Sequence, residues 1–199
     1  MPTPPVLNTG ATPLDPPGDP PAASPAASPG RLAIRLVPDP VLRRKARPVG
    51  PGDAEAVRTL VPRMLEAMYA APGIGLAAPQ VGVPLRLAVI DLQREGTRAP
   101  LVIINPEIAA ASAETETHEE GCLSLPGQYA DVTRPRAVTV RFLDAAGERR
   151  ELAAEALLAR CLQHEIDHLD GILFVDRISA LKRNIILRRL AKALRAKEG

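Results

Sequence analysis

His164-Glu165-Ile166-Asp167-His168 and the thiol of Cys122 are the residues of this chain best suited to chemistry. On a helix, two histidines four positions apart share one face, with about 5–6 Å between their Cβ atoms, and can grip a single metal ion. Glu165 falls on a flanking stripe, where its carboxylate can reach a water on that ion. An H-E-x-x-H segment needs a third ligand, and the two familiar downstream sources are missing. Where the extended pattern places a third histidine, this chain has Phe174. A later helical glutamate fails too, because after Asp176 the only acid is Glu198, in a stretch dominated by lysine and arginine. With three histidines and two cysteines in the whole chain, Cys122 is the most economical third ligand. Three protein ligands leave one position open to water, which marks a catalytic rather than a structural site.

Such a site needs a scaffold, and the chain has material for one. Its 199 residues are 46% hydrophobic, enough for one domain with a real core. Two Tyr, two Phe and no Trp mean that aliphatic side chains must fill that core. Asp53 is placed to cap a helix whose Val57, Leu60, Val61, Met64, Leu65 and Met68 follow helical spacing. Pro62 is expected to bend or interrupt it, and Pro72-Gly73 to end it. Gly73–Gly82, with its glycines and Pro79, reads as a loop that brings backbone close to something. Arg86–Leu92 and Leu101–Asn105 read as strands, and Val138–Leu143 with Arg149–Leu152 as a hairpin around Asp144-Ala145-Ala146-Gly147. A helix from about Glu155 to Leu169 puts Leu157, Cys161, His164 and His168 on one stripe, and Gly171 stops it. The C-terminal segment Leu181–Lys197 predicts a further helix with Leu187, Leu190, Ala191 and Leu194 on one face. Short strands around one ligand-bearing helix imply an α+β domain.

Three segments together carry a resemblance. Gly73-Ile74-Gly75-Leu76-Ala77-Ala78-Pro79-Gln80, Glu120-Gly121-Cys122-Leu123-Ser124-Leu125-Pro126 and Gln163-His164-Glu165-Ile166-Asp167-His168-Leu169 resemble, in order and spacing, the signature motifs of peptide deformylases. The likeness runs from about Arg31, through Leu36-Val37-Pro38-Asp39-Pro40-Val41-Leu42, to about Ile178. It implies antiparallel sheets around a central metal-binding helix, and hydrolysis of the N-formyl group from the initiator methionine of new polypeptides. It implies Cys122, His164 and His168 as ligands, and Glu165 as a general base that later acts as acid. By the same resemblance the Gln80 amide and the Leu123 N–H donate to the oxyanion, and the Gly75 backbone aligns an extended substrate. Leu157 and Cys161, with Ile74 and Gly121, become candidates for the methionine pocket, and Tyr129 for its border. The family's usual metal is ferrous iron, Fe(2+), one per chain, with Zn, Ni or Co as substitutes. A zinc endopeptidase would leave Cys122 and Gln80 unexplained, and a silent relative would be expected to have lost Cys122, Glu165 or Gln80.

Charge and composition limit the rest. Residues 177 to 199 carry eight Lys/Arg against one Glu, so the remainder is net negative. That basic helix reads either as a packing element with a solvated face or as a docking element for ribosomal RNA. Nothing points to DNA. Two cysteines do not make a disulfide framework, and a ligating thiolate favours a reducing, cytoplasmic setting. No apolar run is long enough to span a bilayer, so no membrane partner is expected. Residues 1–30 hold ten of the 22 prolines and no Lys or Arg; they read as a disordered or polyproline-like tail rather than a targeting peptide. The expected organisation is therefore tail 1–30, catalytic domain 31–178 and basic helix 179–199.

Overall fold

The computed structural model describes residues 32–198, so the expected tail lies outside the described residues. Five strands form one antiparallel sheet in the order β1 (Gly75–Ala77), β2 (Leu87–Ile90), β3 (Leu101–Ala111), β6 (Ala137–Leu143) and β7 (Arg149–Glu155). β4 (Thr115–Gly121) and β5 (Tyr129–Pro135) make a separate two-stranded hairpin. Helix α1 (Ala54–Ala70) covers one face near β1 and β2, and α2 (Ala156–Leu169) covers the other. The α+β expectation, antiparallel sheets around a central helix, is what the chain adopts.

Strand β2 shows why. Its four residues, Leu-Ala-Val-Ile, are all buried. Successive side chains of a strand point to opposite faces. Accordingly Leu87 and Val89 meet Val57, Leu60, Met64 and Met68 of α1, whereas Ala88 and Ile90 meet Leu162, Ile166 and Leu169 of α2. A strand apolar at every position is what a sheet covered on both sides requires. A third cluster joins Leu125, Val132, Phe174 and Val175 to Ile186 and Leu190 of α3 (Ala180–Glu198).

Several expectations are corrected. Helix α1 runs unbroken through Pro62, its buried face held by the sheet while one backbone hydrogen bond is forgone. Asp53 sits at its N-cap without capping it, because Arg47 and the Gly50 N–H occupy its carboxylate at 2.8 Å. Within Gly73–Gly82, Gly75–Ala77 pairs with β2 as a strand and Ala78–Val81 forms a 3-10 turn. β3 continues six residues beyond Asn105, through two register shifts against β6, because tertiary pairing extends a segment whose alanines carry no strand signal. The polar β4–β5 hairpin gave no periodicity to read. On α3 Leu190 is buried as expected, with Leu187 and Leu194 packed beside it, but Ile186 is buried too and Ala191 is exposed.

Helix α2 ends where expected. Gly171 adopts φ +74°, and a Cβ there would come within 2.6 Å of the Arg43 carbonyl oxygen. Only glycine satisfies both conditions. The Arg43 strand of backbone is itself tied to the helix end, since Ala46 N–H donates to Leu169 C=O at 2.8 Å.

Candidate metal centre

Helix α2 carries two histidines into the molecule, and the turn after β4 brings one thiol to meet them. The donor atoms of Cys122, His164 and His168 all lie within 4.8 Å of one another. Cys122 Sγ stands 3.2 Å from His168 Nε2. The two imidazoles pack edge to face with ring centroids 4.9 Å apart. His168 is 1% exposed, and burial, reinforced by the nearby positive charge, pushes its pKa well below the ordinary histidine range. That favours the neutral imidazole that binds metal ions.

His164 is oriented from behind. Its Nδ1 lies 3.0 Å from Glu120 Oε2, which leaves the other ring nitrogen for the cluster. Burial opposes the charged form of His164, yet hydrogen bonds with Cys122 and Glu120 raise its pKa well above the usual value. Glu120 in turn accepts from Arg134, whose Nη1 donates to Asp167 Oδ2 at 2.8 Å; Asp167 also accepts from Arg177. Burial opposes the charge on Glu120, but His164 and Arg134 outweigh it and hold its carboxyl down at about 2. This buried chain of Glu120, Arg134 and Asp167 escaped sequence reasoning. Glu120 stood in a quoted motif, but no spacing connects it to Arg134 or His164.

Glu165 is the opposite case. It is 3% exposed, and its Oε2 has no hydrogen-bond partner. Burial pushes its pKa up to about 7, against the pull of His164 and Arg134. Gly75 makes room for it: a Cβ on Gly75 would overlap Glu165 Oε1 and stand 3.0 Å from Cys161 Sγ.

Gln80 is almost fully buried, 2% exposed, in the 3-10 turn after β1. The Ala77 N–H donates to its Oε1 at 2.8 Å, so its amide is fixed with Nε2 toward Ser124 Oγ, 3.2 Å, and Cys122 Sγ, 3.5 Å. Ser124 is a second partner that the sequence did not single out. The Leu123 N–H has no acceptor among the described residues.

Gln80, Glu120, Cys122, Leu123, His164 and Glu165 open onto one cleft of about 1040 Å³. Ile74, Gly75, Gly121, Leu157 and Cys161 line it as well, while His168 stays behind the lining and joins the site through Cys122 and His164. Ile74 and Leu157 keep roughly a third to two-fifths of their surface exposed, at 36% and 40%. Cys161 is buried, with its Sγ 3.7 Å from the Ile74 carbonyl oxygen. Tyr129 also lines the cleft, at the start of β5. His118 does not; it sits on β4 with Glu116, 3.0 Å away. Among the described residues the Cys122, His164 and His168 cluster is the one group of three such side chains able to hold an ion.

Comparisons with known proteins give concordant matches for the chain. The family model described as "Polypeptide deformylase" matches residues 32–184. The chain is similar to the peptide deformylase of Rhizobium meliloti, 53% identical over 163 residues that cover 81% of this chain and 93% of that one. It is likewise 53% identical over 163 residues to the peptide deformylase of Agrobacterium fabrum, covering 81% and 95%. Among solved structures, a peptide deformylase from Legionella pneumophila superposes with a TM-score of 0.79 at 48% identity, covering 84% of this chain and 98% of that one. A peptide deformylase from Synechococcus elongatus in complex with actinonin gives a TM-score of 0.76 at 47% identity, covering 82% and 89%.

Proposed function

The chain belongs to the polypeptide deformylase family, and on that premise we infer how its own residues perform the reaction. It is a metal-dependent hydrolase that removes the N-formyl group from N-formylmethionine at the start of new polypeptides, releasing formate. The observation that carries the assignment of roles is the convergence of one thiol, two imidazoles and an unpartnered buried carboxylate at the floor of a single cleft.

Cys122, His164 and His168 would hold the metal. Their donor set, a thiolate and two imidazoles, fits a divalent transition ion, and the buried Glu120 carboxylate orients the first histidine from behind. We assign ferrous iron as the ion, with zinc, nickel or cobalt able to substitute. An ion in that position supplies Lewis acidity, lowering the pKa of a water from about 15.7 to about 7.

Glu165 would take the proton from the attacking water and return it to the departing amine. Its elevated pKa, about 7, suits a group that must accept and then give a proton near neutrality. The oxyanion of the tetrahedral intermediate is met by Gln80 Nε2, fixed by its bond to Ala77, and by the Leu123 N–H, which has no acceptor of its own. Losing one such donor typically costs about 10²–10³ in rate. β1 is an edge strand of the five-stranded sheet, and Gly75 on it can align the substrate by strand addition. The methionine side chain then lies among Ile74, Gly121, Leu157 and Cys161, selected by shape and burial.

Formate release from formyl-Met-Ala-Ser by anaerobically prepared, iron- or nickel-loaded protein tests these roles, with Glu165→Ala and an unformylated peptide alongside. Formate from the intact protein alone, with the unformylated peptide uncut, is the expected result; cleavage of a peptide bond would overturn it. Iron on a water-accessible thiolate should also make the enzyme oxygen-sensitive, so full activity after days in air with iron retained would contradict the metal assignment.

The setting is the cytoplasm, where nascent chains and reduced thiols coexist. Among the described residues no helix is long and apolar enough to cross a membrane. Arg188, Arg189, Lys192 and Arg195 lie exposed on α3, which supports docking to the ribosome through that face. Replacing these four by glutamine should abolish salt-sensitive cosedimentation with ribosomes; unchanged cosedimentation would rule the docking out. The division into a catalytic domain 31–178 and a helix 179–199 is likewise our reading, and Ile186 and Leu190 of that helix pack onto the domain.

A further inference from the structure

The face of α2 that looks into the cleft is the stripe Leu157, Arg160, Cys161 and His164. Exposure is highest at the outer end of the stripe, 40% at Leu157, and lower further in, where Cys161 is 6% exposed and His164 half-buried. Arg160 therefore sits near the mouth, half-buried, one turn outward from the first histidine. Among the described residues it is the sole lysine or arginine that lines the cleft. Among the described residues no carboxylate lies within ion-pair distance of it; Glu116 feels its charge but is bound by His118 at 3.0 Å and Arg136 at 3.4 Å. The other arginines that reach into the domain, Arg86 and Arg134, each have a carboxylate partner at 2.8 Å or less.

A half-buried arginine in a substrate cleft, with no carboxylate at ion-pair distance, is suited to recognise an anion. The formylated peptide brings no negative charge at its blocked end, so any anion must come from the residues after the methionine. We propose that Arg160 is a specificity-determining residue, which favours formylated chains carrying Asp or Glu directly after the methionine or one residue further and disfavours those carrying Lys or Arg there. This rests on the deformylase reading above. The Arg160 stem contributes methylene surface beside Leu157 and Cys161, while its head group meets the chain that leaves the methionine pocket. Glu119 lines the same cleft from β4, but it is exposed, where water screens its charge more fully.

The test compares kcat/KM for formyl-Met-Asp-Ser with formyl-Met-Lys-Ser, and for formyl-Met-Ala-Asp with formyl-Met-Ala-Lys, using the metal-loaded full chain. In the wild type, acidic peptides should be favoured by about fivefold at low salt, the size of a partly exposed ion pair, and by less at about 0.15 M salt. Arg160→Leu should bring the ratio to about one, Arg160→Lys should keep part of it, and Arg160→Glu should reverse it. A merely structural role would slow both members of each pair alike and leave the ratio unmoved; the same ratio in all four proteins would overturn the proposal. Formyl-Met-Ala-Ser is assayed first. No formate from the wild-type enzyme would sink the deformylase reading itself, whereas formate with an invariant ratio would sink only the role of Arg160.

Discussion

Two carboxylates stand on either side of His164, and the chain treats them in opposite ways. Glu120, behind the histidine, is saturated with partners: His164, and both Nε and Nη2 of Arg134. Glu165, in front, is buried too, but one of its oxygens has no hydrogen-bond partner among the described residues. One is held ionised with its pKa near 2, the other is lifted to about 7. Burial acts on both in the same direction; the difference is whether positive partners outweigh it. The region behind α2 is therefore a fixed electrostatic support, whereas the region in front is left ready to exchange a proton. Paired environments that drive like groups apart are how one site acquires both a structural charge and a base.

The sharpest way to break the comparison is to remove what both carboxylates serve. Prolonged chelation should abolish formate release, and added iron, nickel or cobalt should restore it; persistent activity in verified metal-free protein would refute the Cys122, His164 and His168 assignment.

Next comes the front side. Glu165→Gln should lower kcat by about 10²–10⁴ while metal content and thermal stability hold, because an unpartnered acid is lost and no support is removed. A variant that also lost its metal would show that Glu165 supports the site rather than acting on substrate.

Behind the helix the pattern should invert. Arg134→Met leaves Glu120 and Asp167 buried without their shared cation, so a loss of about 3–5 kcal/mol in unfolding free energy is expected, measured by denaturant titration. Little change in stability would mean that the network is wetter than its 4–9% side-chain exposure suggests.

Glu120→Gln should be milder than Arg134→Met in stability but should weaken metal affinity by about 10–100-fold, since it slackens His164. Competition with a chromogenic chelator reads this directly, and unaltered affinity would dismiss Glu120 as an orienting group.

The smallest effect concerns a third buried carboxylate, Asp91, which is partnered like Glu120. Tyr69 Oη donates to it at 2.6 Å, and burial together with that bond pushes the Tyr69 phenol up to about 12. The folded protein thus prefers the protonated phenol more than the unfolded chain does. The stabilisation is complete below the ordinary phenol range near pH 10 and is lost as pH rises toward 12. With no Trp to obscure it, ultraviolet titration should show a late phenolate step that Tyr69→Phe removes. A late step that survives the substitution would break the assignment.

Much of the site was legible because its chemistry is local. His164, Glu165 and His168 lie within one helix, whose period puts them together whatever the rest of the fold does. Cys122 was reachable by elimination, because so few histidines and cysteines compete for the role. Gln80, Leu123 and Gly75 were accessible only through resemblance, since nothing in their own spacing ties them to a helix many residues away. The β4–β5 hairpin, the continuation of β3 and the partners of Asp53 were not legible at all. Their side chains carry no alternation or capping signal that outcompetes tertiary pairing.

The sequence by itself therefore determined the identities of the reactive groups, the helix that carries two of them, and the glycine that must end it. The tertiary structure decided their states. Whether a carboxylate near His164 is a permanent charge or a proton carrier depends on Arg134 arriving from β5 and on Gly75 leaving space from β1. Those neighbours are separated along the chain and meet only in the folded protein. Protonation energies depend on distance and burial, which folding sets and residue order alone does not express.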